Sequence, residues 1–301
     1  MPRLFFTVGL PGSGKSTLYK AYFSKAAYVS SDQIRQDVFG DVNDQTHNAE
    51  VFNLMLNRTR DLLKANVDVY YDATNINAKR RIGFLKELSK IPDLVKICVL
   101  CVPPFEVVKE RNASRERVVP EFVLDRMLRG FEMPDCAEGW DKIMTFGNDN
   151  NFDVVGEMLF EADDISHDNH HHSLTIGGHM RAAEKYIADK MIQTVRDSSH
   201  SDLLRTAALF HDIGKPYCKV YHDARNNPTE EAHFYNHENV GAYFYLSHSG
   251  CSDRNLYIAL LINHHMDHYK GEKYMEKMAA RYSEEFMRDL ERLHEADKAA
   301  H

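Results

Sequence analysis

The sequence predicts two folded parts: an α/β domain with a parallel sheet and covering helices, followed by an all-α helical domain. Three observations carry that expectation. Apolar runs of strand length alternate with helix-length segments through the first half, as strand–loop–helix units do in parallel sheets. A glycine-rich turn, residues 9–17, stands directly after the first of those runs. Of 17 histidines, only His47 precedes residue 160, a compositional break that implies different chemistry on its two sides. At 301 residues the chain has room for two domains, expected at 1–150 and 151–301 with a polar linker over about 147–168.

Composition narrows the function classes. With 43% hydrophobic and 27% charged residues the chain reads as an ordinary globular protein. No apolar run is long enough to span a bilayer, and Met1-Pro2-Arg3 leads into a strand without a signal-peptide pattern. The cysteines number five and are scattered, which argues against a disulfide framework and points to a reducing cytoplasm. Cys98 and Cys101 form C-x-x-C, but inside the apolar run 95–102, which reads as a buried strand and not as a redox or zinc site. A net charge of −8 is unfavourable for broad wrapping by nucleic acid. Residues 79–129 nevertheless carry 12 Lys and Arg against 7 Asp and Glu, so a nucleic-acid strand is expected there.

In chain order, residues 4–8 are the first strand. Gly9-Leu10-Pro11-Gly12-Ser13-Gly14-Lys15-Ser16-Thr17 follows, with a helix over 17–25, which is G-x-x-x-x-G-K-[ST] in its strand-before, helix-after context. Glycines there let backbone N–H groups turn inward around phosphate oxygens, and the helix N-terminus adds partial positive charge. Gly9, Pro11, Gly12, Ser13, Gly14, Lys15, Ser16 and Thr17 are the candidate triphosphate site. Lys15 can reach the β- and γ-phosphates and Ser16 can hold Mg²⁺. A strand over 27–30 ends at Ser31-Asp32-Gln33-Ile34-Arg35. Asp32, at a strand's carboxyl edge, can orient or deprotonate an acceptor hydroxyl; the alternative is a helix N-cap. Arg35, one helical turn on, can clamp a phosphate.

An amphipathic helix over 48–67 leads to a strand over 67–71 that closes on Asp72-Ala73-Thr74-Asn75. Asp72 can hold Mg²⁺ through water or position the acceptor, or else cap the helix starting near Ala78. Lys79-Arg80-Arg81 reads as a solvated helix face. A buried-type strand over 94–102 is broken by Pro103-Pro104, and a helix with Val107 and Val108 on its apolar side follows. Arg111 and Arg115, spaced i, i+4, would share a helix face and suit a γ-phosphate in transfer, or form a plain basic surface. A last helix over 120–131 carries Arg126 and Arg129.

Taken together, the 9–17 loop, Ser31-Asp32-Gln33-Ile34-Arg35-Gln36, Asp72-Ala73-Thr74-Asn75 with Arg80-Arg81, and Arg111-Asn112-Ala113-Ser114-Arg115 with Val119-Pro120 resemble the kinase domain of the phage polynucleotide 5′-kinase family, over about residues 3–135. The resemblance implies ATP or another nucleoside triphosphate as donor, with Mg²⁺. It implies Asp32 as general base on a 5′-hydroxyl and Arg35 on the phosphate 3′ to that nucleoside. Arg111 and Arg115 become lid arginines on the triphosphate, and Asp72, Thr74 and Asn75 acceptor-side residues. The chain departs from the family in having Ser31 where a basic residue stands, and one extra residue between Asp72 and Thr74.

The second half opens on His170-His171-His172, an adventitious metal binder or a tag-like run, then His179 at the start of a helix ending at residue 192. A helix over 203–210 ends in His211-Asp212-Ile213-Gly214-Lys215. His233-Phe234-Tyr235-Asn236-His237-Glu238 reads as a helix start leading into 240–246. A helix over 256–262 ends at His264-His265, and one over 284–299 carries Asp297. Imidazoles and carboxylates recur once per helix, at helix ends, so in a bundle they can converge on divalent metal. His179, His211, Asp212 and Asp297 would make one site. His237 with His264, or with His265 instead, would make a second, Asp212 bridging. Such a site acidifies a water for attack on phosphorus, with Lys215 stabilising the added charge. Mn, Fe, Co, Ni or Zn, as one ion or two, suits these ligands. His233 is a candidate substrate contact; His167, His200, His222, His248 and His294 are expected to be non-ligands.

The order His…His-Asp…His…His…Asp resembles the HD-domain metal-dependent phosphohydrolase superfamily, over about residues 170–301. Similar domains occur in bacterial tRNA CCA-adding enzymes and, placed before a kinase, in HD–polynucleotide-kinase proteins of RNA end repair. The pairing implies a bifunctional end-healing enzyme. Its kinase would phosphorylate 5′-hydroxyl ends of RNA or DNA. Its phosphohydrolase would remove 2′,3′-cyclic phosphate or a phosphomonoester, preparing ends for an RNA ligase. The alternatives are that both domains act on free nucleotides, or that a nucleotide-regulated module carries an inert HD part.

Overall fold

The computed structural model describes residues 1–147, 150–170, 173–191 and 198–300. Chain contacts divide it into two compact units, Met1–Leu124 with Pro134–Gly147, and Asp125–Met133 with Asn148–His301.

In the first unit the apolar run after Arg3 becomes β1 (Arg3–Val8), buried at five of its six positions. With β2 (Ala27–Ser30), β3 (Val69–Asp72), β4 (Val95–Cys101) and β5 (Lys142–Phe146) it makes a five-stranded sheet in the order β2-β3-β1-β4-β5, parallel throughout. Alternation along the strands sends Phe5, Tyr70, Val99 and Cys101 to a core shared with Phe23 and Ala26. It sends Phe6 and Tyr71 the other way, where they stack with Phe84 and Trp140 at centroid separations of 4.6 to 5.3 Å. Coverage on both faces is why these strands read as continuous apolar runs. Cys98 and Cys101 are buried strand residues, as expected.

The covering helices are α1 (Lys15–Leu18), α2 (Ser31–Ile34), α3 (Asn48–Lys64), α4 (Ala78–Glu87) and α5 (Phe105–Ala113); α6 (Glu121–Arg129) starts in this unit and belongs to the second from Asp125 on. α1 and α2 each widen into one π-helical turn, Tyr19–Phe23 and Arg35–Phe39. α3 buries Val51, Met55, Thr59 and Leu63 along one face against β2 and β3. It stops short of Val67 because Asn66 takes a left-handed φ of +60° and Val67 N donates back to Leu62 O at 3.0 Å, a Schellman closure.

The second unit is helical: α7 (Phe152–Ala162), α8 (Ile176–Met191), α9 (Ser198–Phe210), α10 (Lys215–Cys218), α11 (His237–His248), α12 (Asp253–His264), α13 (Glu272–Ala279) and α14 (Glu284–Ala299). Ile176, Met180, Ala183 and Ile187 give α8 an apolar stripe that meets α9 and α14. Residues 240–248 of α11 are all buried, which makes it the central helix. Among the described residues no helix is long and apolar enough to cross a membrane.

Three expectations fail here. The segment 147–168 is not a linker: α7 lies within it, buried at Val155, Leu159 and Ala162 and packed on α8 and α11. His233 does not start a helix; it lies on β7 (Pro228–Phe234), which pairs antiparallel with β6 (Lys219–His222) in a hairpin between α10 and α11. And 125–133 goes with the second unit, where Asn236 Nδ2 donates to Arg129 O and Phe131 O at 2.8 Å and Asn239 Oδ1 accepts from Met133 N at 2.7 Å. His171, His172, Asn148, Asp149 and Ile192 lie outside the described residues.

Candidate phosphate-transfer site and candidate metal centre

The loop after β1 turns on two left-handed glycines, Gly12 (φ +84°) and Gly14 (φ +90°), conformations that a side chain rarely adopts. A Cβ on Gly12 would also stand 2.8 Å from Val108 O. Lys15 folds its ammonium onto this loop, donating to Gly9 O (3.0 Å), Leu10 O (2.7 Å) and Ser13 Oγ (3.2 Å). Burial pulls the Lys15 ammonium below its usual pKa, opposed by the charges of Asp72 and Asp32. Ser16 and Thr17 are exposed on the first turn of α1, next to half-buried Pro11 and Gly12 in the turn.

The exit of β3 is fastened to the loop. Gly9 N donates to Thr74 O at 2.9 Å, and the Asn75 amide donates to Thr7 O at 2.7 Å and Ala73 O at 3.3 Å. Thr74 and Asn75 thus shape the site through bonds to neighbouring backbone. Asp72 is 8% exposed and accepts from Tyr28 Oη at 2.6 Å; burial raises its carboxyl and Lys15 works against that. Neither candidate carboxylate is a helix cap. Ser30 holds the cap position of α2, with Asp32 inside the first turn, and Asn77 caps α4 by accepting from Arg80 N at 3.0 Å.

Asp32 Oδ1 meets two guanidiniums, Arg35 Nη1 at 3.4 Å and Arg117 Nη1 at 3.3 Å. Arg111 lies against the loop, its Nη1 3.6 Å from where a Cβ on Gly14 would be. Arg111 and Arg115 do not share a helix face, because α5 ends at Ala113. The Asn112 side chain then spans the following loop, donating to Val119 O at 2.8 Å and accepting from Val119 N at 3.0 Å. Arg115 rides on that closed loop, near enough for its charge to bear on Lys15 and Asp72.

In the second unit, the turn after α9 carries His211 and Asp212, and the two oxygens of Asp212 face different partners. Oδ2 lies 3.4 Å from His211 Nε2, 3.5 Å from His179 Nε2 and 2.6 Å from Lys215 Nζ. Oδ1 lies 3.2 Å from His237 Nε2 and 3.4 Å from His265 Nε2. Asp297 Oδ1 closes the first group, 2.9 Å from His179 Nε2 and 3.4 Å from His211 Nε2. His179, His211, Asp212, His265 and Asp297 are all at least nine-tenths buried. The turn reaches this position because Gly214 has no side chain: a Cβ there would stand 2.2 Å from His237 O and 2.6 Å from Gly241 N.

The imidazole orientations are fixed from behind. His211 Nδ1 meets Ala208 O at 2.8 Å, His237 Nδ1 meets Phe234 O at 2.7 Å, His265 Nδ1 meets Ile262 O at 2.7 Å, and His179 Nδ1 meets Ala300 O at 3.3 Å. A carbonyl only accepts, so each Nδ1 carries the proton and each Nε2 turns its lone pair inward. His179 Nε2 and His211 Nε2 then face each other at 3.1 Å, beside two carboxylates. Lone pairs and anions so crowded need a cation among them. A proton is one answer: burial depresses His211, yet Asp212 and Asp297 outweigh it and hold the imidazole at about 10. A divalent metal is the other, and the donor set of neutral imidazoles and carboxylates fits one. Such an ion would be held by His179, His211, Asp212 and Asp297, or by Asp212 with His237 and His265, and would supply Lewis acidity and lower the pKa of a water.

Residues 4–134 match the AAA domain family and residues 169–300 match the HD domain family. The chain joins a P-loop domain to an HD domain. A curated relative, the L-seryl-tRNA(Sec) kinase of Methanococcus maripaludis, is 27% identical over 146 residues, 46% of this chain and 56% of the relative. Among solved structures, a chain of the Pnkp1/Rnl/Hen1 RNA repair complex is similar at a TM-score of 0.38 with 22% identity, covering 43% of each chain. A second structure of the Pnkp1/Rnl/Hen1 complex gives 0.33 with 24% identity, covering 40% of this chain and 42% of that one. This chain thus spans a little over half of the curated relative it matches.

Two expectations are corrected within these domains. In the HD domain His264 stays out of the cluster: its Nδ1 is 2.6 Å from Asp267 Oδ2 and its Nε2 is hydrogen-bonded with Tyr282 Oη at 2.9 Å. His265, the next residue, is turned by its bond to Ile262 O to face Asp212 instead. In the P-loop domain Arg81 is not on a solvated face. It is fully buried, with Nε 2.8 Å from Glu138 Oε2, Nη2 2.5 Å from Glu138 Oε1, and Nη1 donating to Asn75 O at 3.0 Å.

Residues that the sequence left aside also enter. Arg117 reaches Asp32, and its only sequence signal was its place two residues beyond Arg115. His167 accepts from Lys215 Nζ at 3.3 Å, its Nδ1 being bonded to Leu174 O at 2.9 Å, so it steadies the lysine at Asp212. Tyr269 Oη donates to Asp297 Oδ2 at 3.1 Å. Nothing in periodicity or spacing marks these last two.

Proposed function

We propose that the chain is a bifunctional nucleic-acid end-healing enzyme. The P-loop domain would transfer the γ-phosphate of ATP or another triphosphate to a 5′-hydroxyl. Lys15, Arg111 and Arg115 would stabilise charge on the transferred group, Ser16 would hold Mg²⁺, and Asp32 would take the hydroxyl proton. The HD domain would remove phosphate from 2′,3′ ends, with Lys215 at Asp212 offsetting charge on the phosphate. A chain with both reactions would deliver ends that an RNA ligase can join, and a cytoplasmic setting suits its free cysteines.

The observation that carries this reading is the division of Asp212 between two groups of imidazoles, in a chain whose other half pairs a phosphate loop with an exposed carboxylate at the next strand's edge. The relative's name, a kinase of L-seryl-tRNA(Sec), supports a hydroxyl acceptor borne by RNA. The deciding experiment is product analysis of an RNA with 5′-hydroxyl and 2′,3′-cyclic phosphate ends, incubated with ATP and with Mn, Fe, Co, Ni or Zn in turn. Appearance of a 5′-phosphate and loss of the cyclic phosphate are expected; the absence of both changes would sink the proposal.

A second reading, free nucleotides as substrates of both domains, gains from two arginines of the basic 79–129 segment. Arg81 is consumed by Glu138, and Arg129 lies over the Tyr217 ring at 4.7 Å. Faster phosphorylation of a nucleoside than of a 5′-hydroxyl oligonucleotide would favour it.

A further inference from the structure

Tyr269 inverts the usual arrangement of a surface tyrosine, in which the ring is covered and the hydroxyl reaches water. The residue is 54% exposed, yet its hydroxyl turns inward and donates to Asp297 Oδ2 at 3.1 Å, on a residue only 6% exposed. The two oxygens of Asp297 are thereby divided. Oδ1 faces His179 Nε2 at 2.9 Å and His211 Nε2 at 3.4 Å, while Oδ2 has no other hydrogen-bond donor among the described residues. Tyr269 belongs to the 3-10 turn His265–Lys270, which continues α12. The first residue of that turn, His265, faces Asp212 Oδ1 at 3.4 Å in the other imidazole group. One short turn therefore touches both groups. Its packing on α14 has ring contacts of its own: the Tyr269 ring meets His294 edge-on at a centroid separation of 5.2 Å, and His294 stacks on His268 at 4.3 Å, 7° from parallel.

We propose that Tyr269 is a positioning residue of the metal centre: its hydroxyl holds the outer oxygen of Asp297, so that Oδ1 is the atom presented to a divalent cation beside His179 and His211. The inference rests on the metal-dependent reading of the HD domain above. An aspartate side chain turns easily about its last bond, and Asp297 stands in the last turn of α14. A donor fixed on Oδ2 removes that freedom, as the outer partners of metal-binding carboxylates do. The hydroxyl acts through Asp297, so its part is orientation and not chemistry. Because His265 and Tyr269 share one turn, a shift of that turn loosens one contact in each imidazole group at the same time.

The test loads the full chain with Co²⁺ and compares wild type, Tyr269→Phe and Tyr257→Phe. Tyr257 is the control: its Oη donates to Asp289 Oδ2 at 2.8 Å, a buried carboxylate outside both imidazole groups. Each variant loses one tyrosine–aspartate hydrogen bond and keeps the ring. The readouts are the visible absorption of the bound cobalt, its rate of release into excess chelator, and the Tm of the metal-free protein. Tyr269→Phe should change the cobalt bands and release the metal about 10- to 100-fold faster. Tyr257→Phe should lower the Tm and leave the bands and the release rate as in wild type. Wild-type bands and release in Tyr269→Phe, or equal changes in both variants, overturn the assignment and leave the metal-dependent reading standing. A wild type that takes up neither Co²⁺ nor Mn²⁺ nor Zn²⁺ overturns that reading itself, and the assignment with it.

Discussion

Tyr282 Oη and His264 Nε2 are hydrogen-bonded at 2.9 Å, which turns that imidazole away from the cluster one residue before His265 joins it. The two adjacent histidines are therefore expected to behave differently. His265→Ala should weaken metal retention by at least about tenfold, judged by metal analysis after dialysis, because a residue facing Asp212 is lost. His264→Ala should keep the metal and lose thermal stability. Retention by the first variant with loss by the second would reverse the assignment.

The two activities should separate. Lys15→Ala and Asp32→Ala should lower 5′-phosphorylation by roughly 100-fold or more and leave the hydrolytic product unchanged. Asp212→Ala should do the reverse. End-group analysis on one RNA reads both outcomes, and simultaneous loss from any one change would mean that the reactions depend on each other.

The Arg81–Glu138 pair, also bonded by Trp140 Nε1 to Glu138 Oε2 at 2.9 Å, is buried on both sides. Removing one partner strands the other, at a cost of about 3–5 kcal/mol. Arg81→Ala should show this in urea unfolding with little change in slope; a loss below about 1 kcal/mol would mean that water reaches the pair.

Gly214→Ala should destabilise by about 1–3 kcal/mol, since backbone of α11 stands in the way, and should weaken metal binding by moving His237. Gly83→Ala is the control. It lies within α4 with nothing within 4 Å of the added carbon, so it should be neutral or stabilise by up to about 1 kcal/mol.

Much of this was legible from residue order. Strand runs, the phosphate loop and the last helix appear where hydrophobic period and turn residues put them, and the final helix matches at both ends. What failed depended on partners distant in sequence. Arg81 looks like surface until Glu138, 57 residues away, is brought beneath it. The choice between His264 and His265 turned on Asp267 and Tyr282, because both histidines close the same helix. The β6–β7 hairpin was hidden by its polar sequence, and α7 by the asparagine-rich stretch before it. Arg117 could be read as one more lid charge, and only the packing of its loop sets it beside Asp32.

Ala208 and Ile262 belong to the last turns of α9 and α12, where a helix runs out of amide donors for its carbonyls. His211 and His265 supply those donors from the back of the ring. The same two rings punctuate the chain and face Asp212, so folding and reaction draw on opposite atoms of one side chain. A variant in which this cluster carried out no reaction would still need both histidines for its stability. Their presence is thus weak testimony to activity, whereas the Asp212 carboxylate, which meets Lys215 Nζ and the imidazoles but no helix-end carbonyl, is the residue whose replacement would tell more.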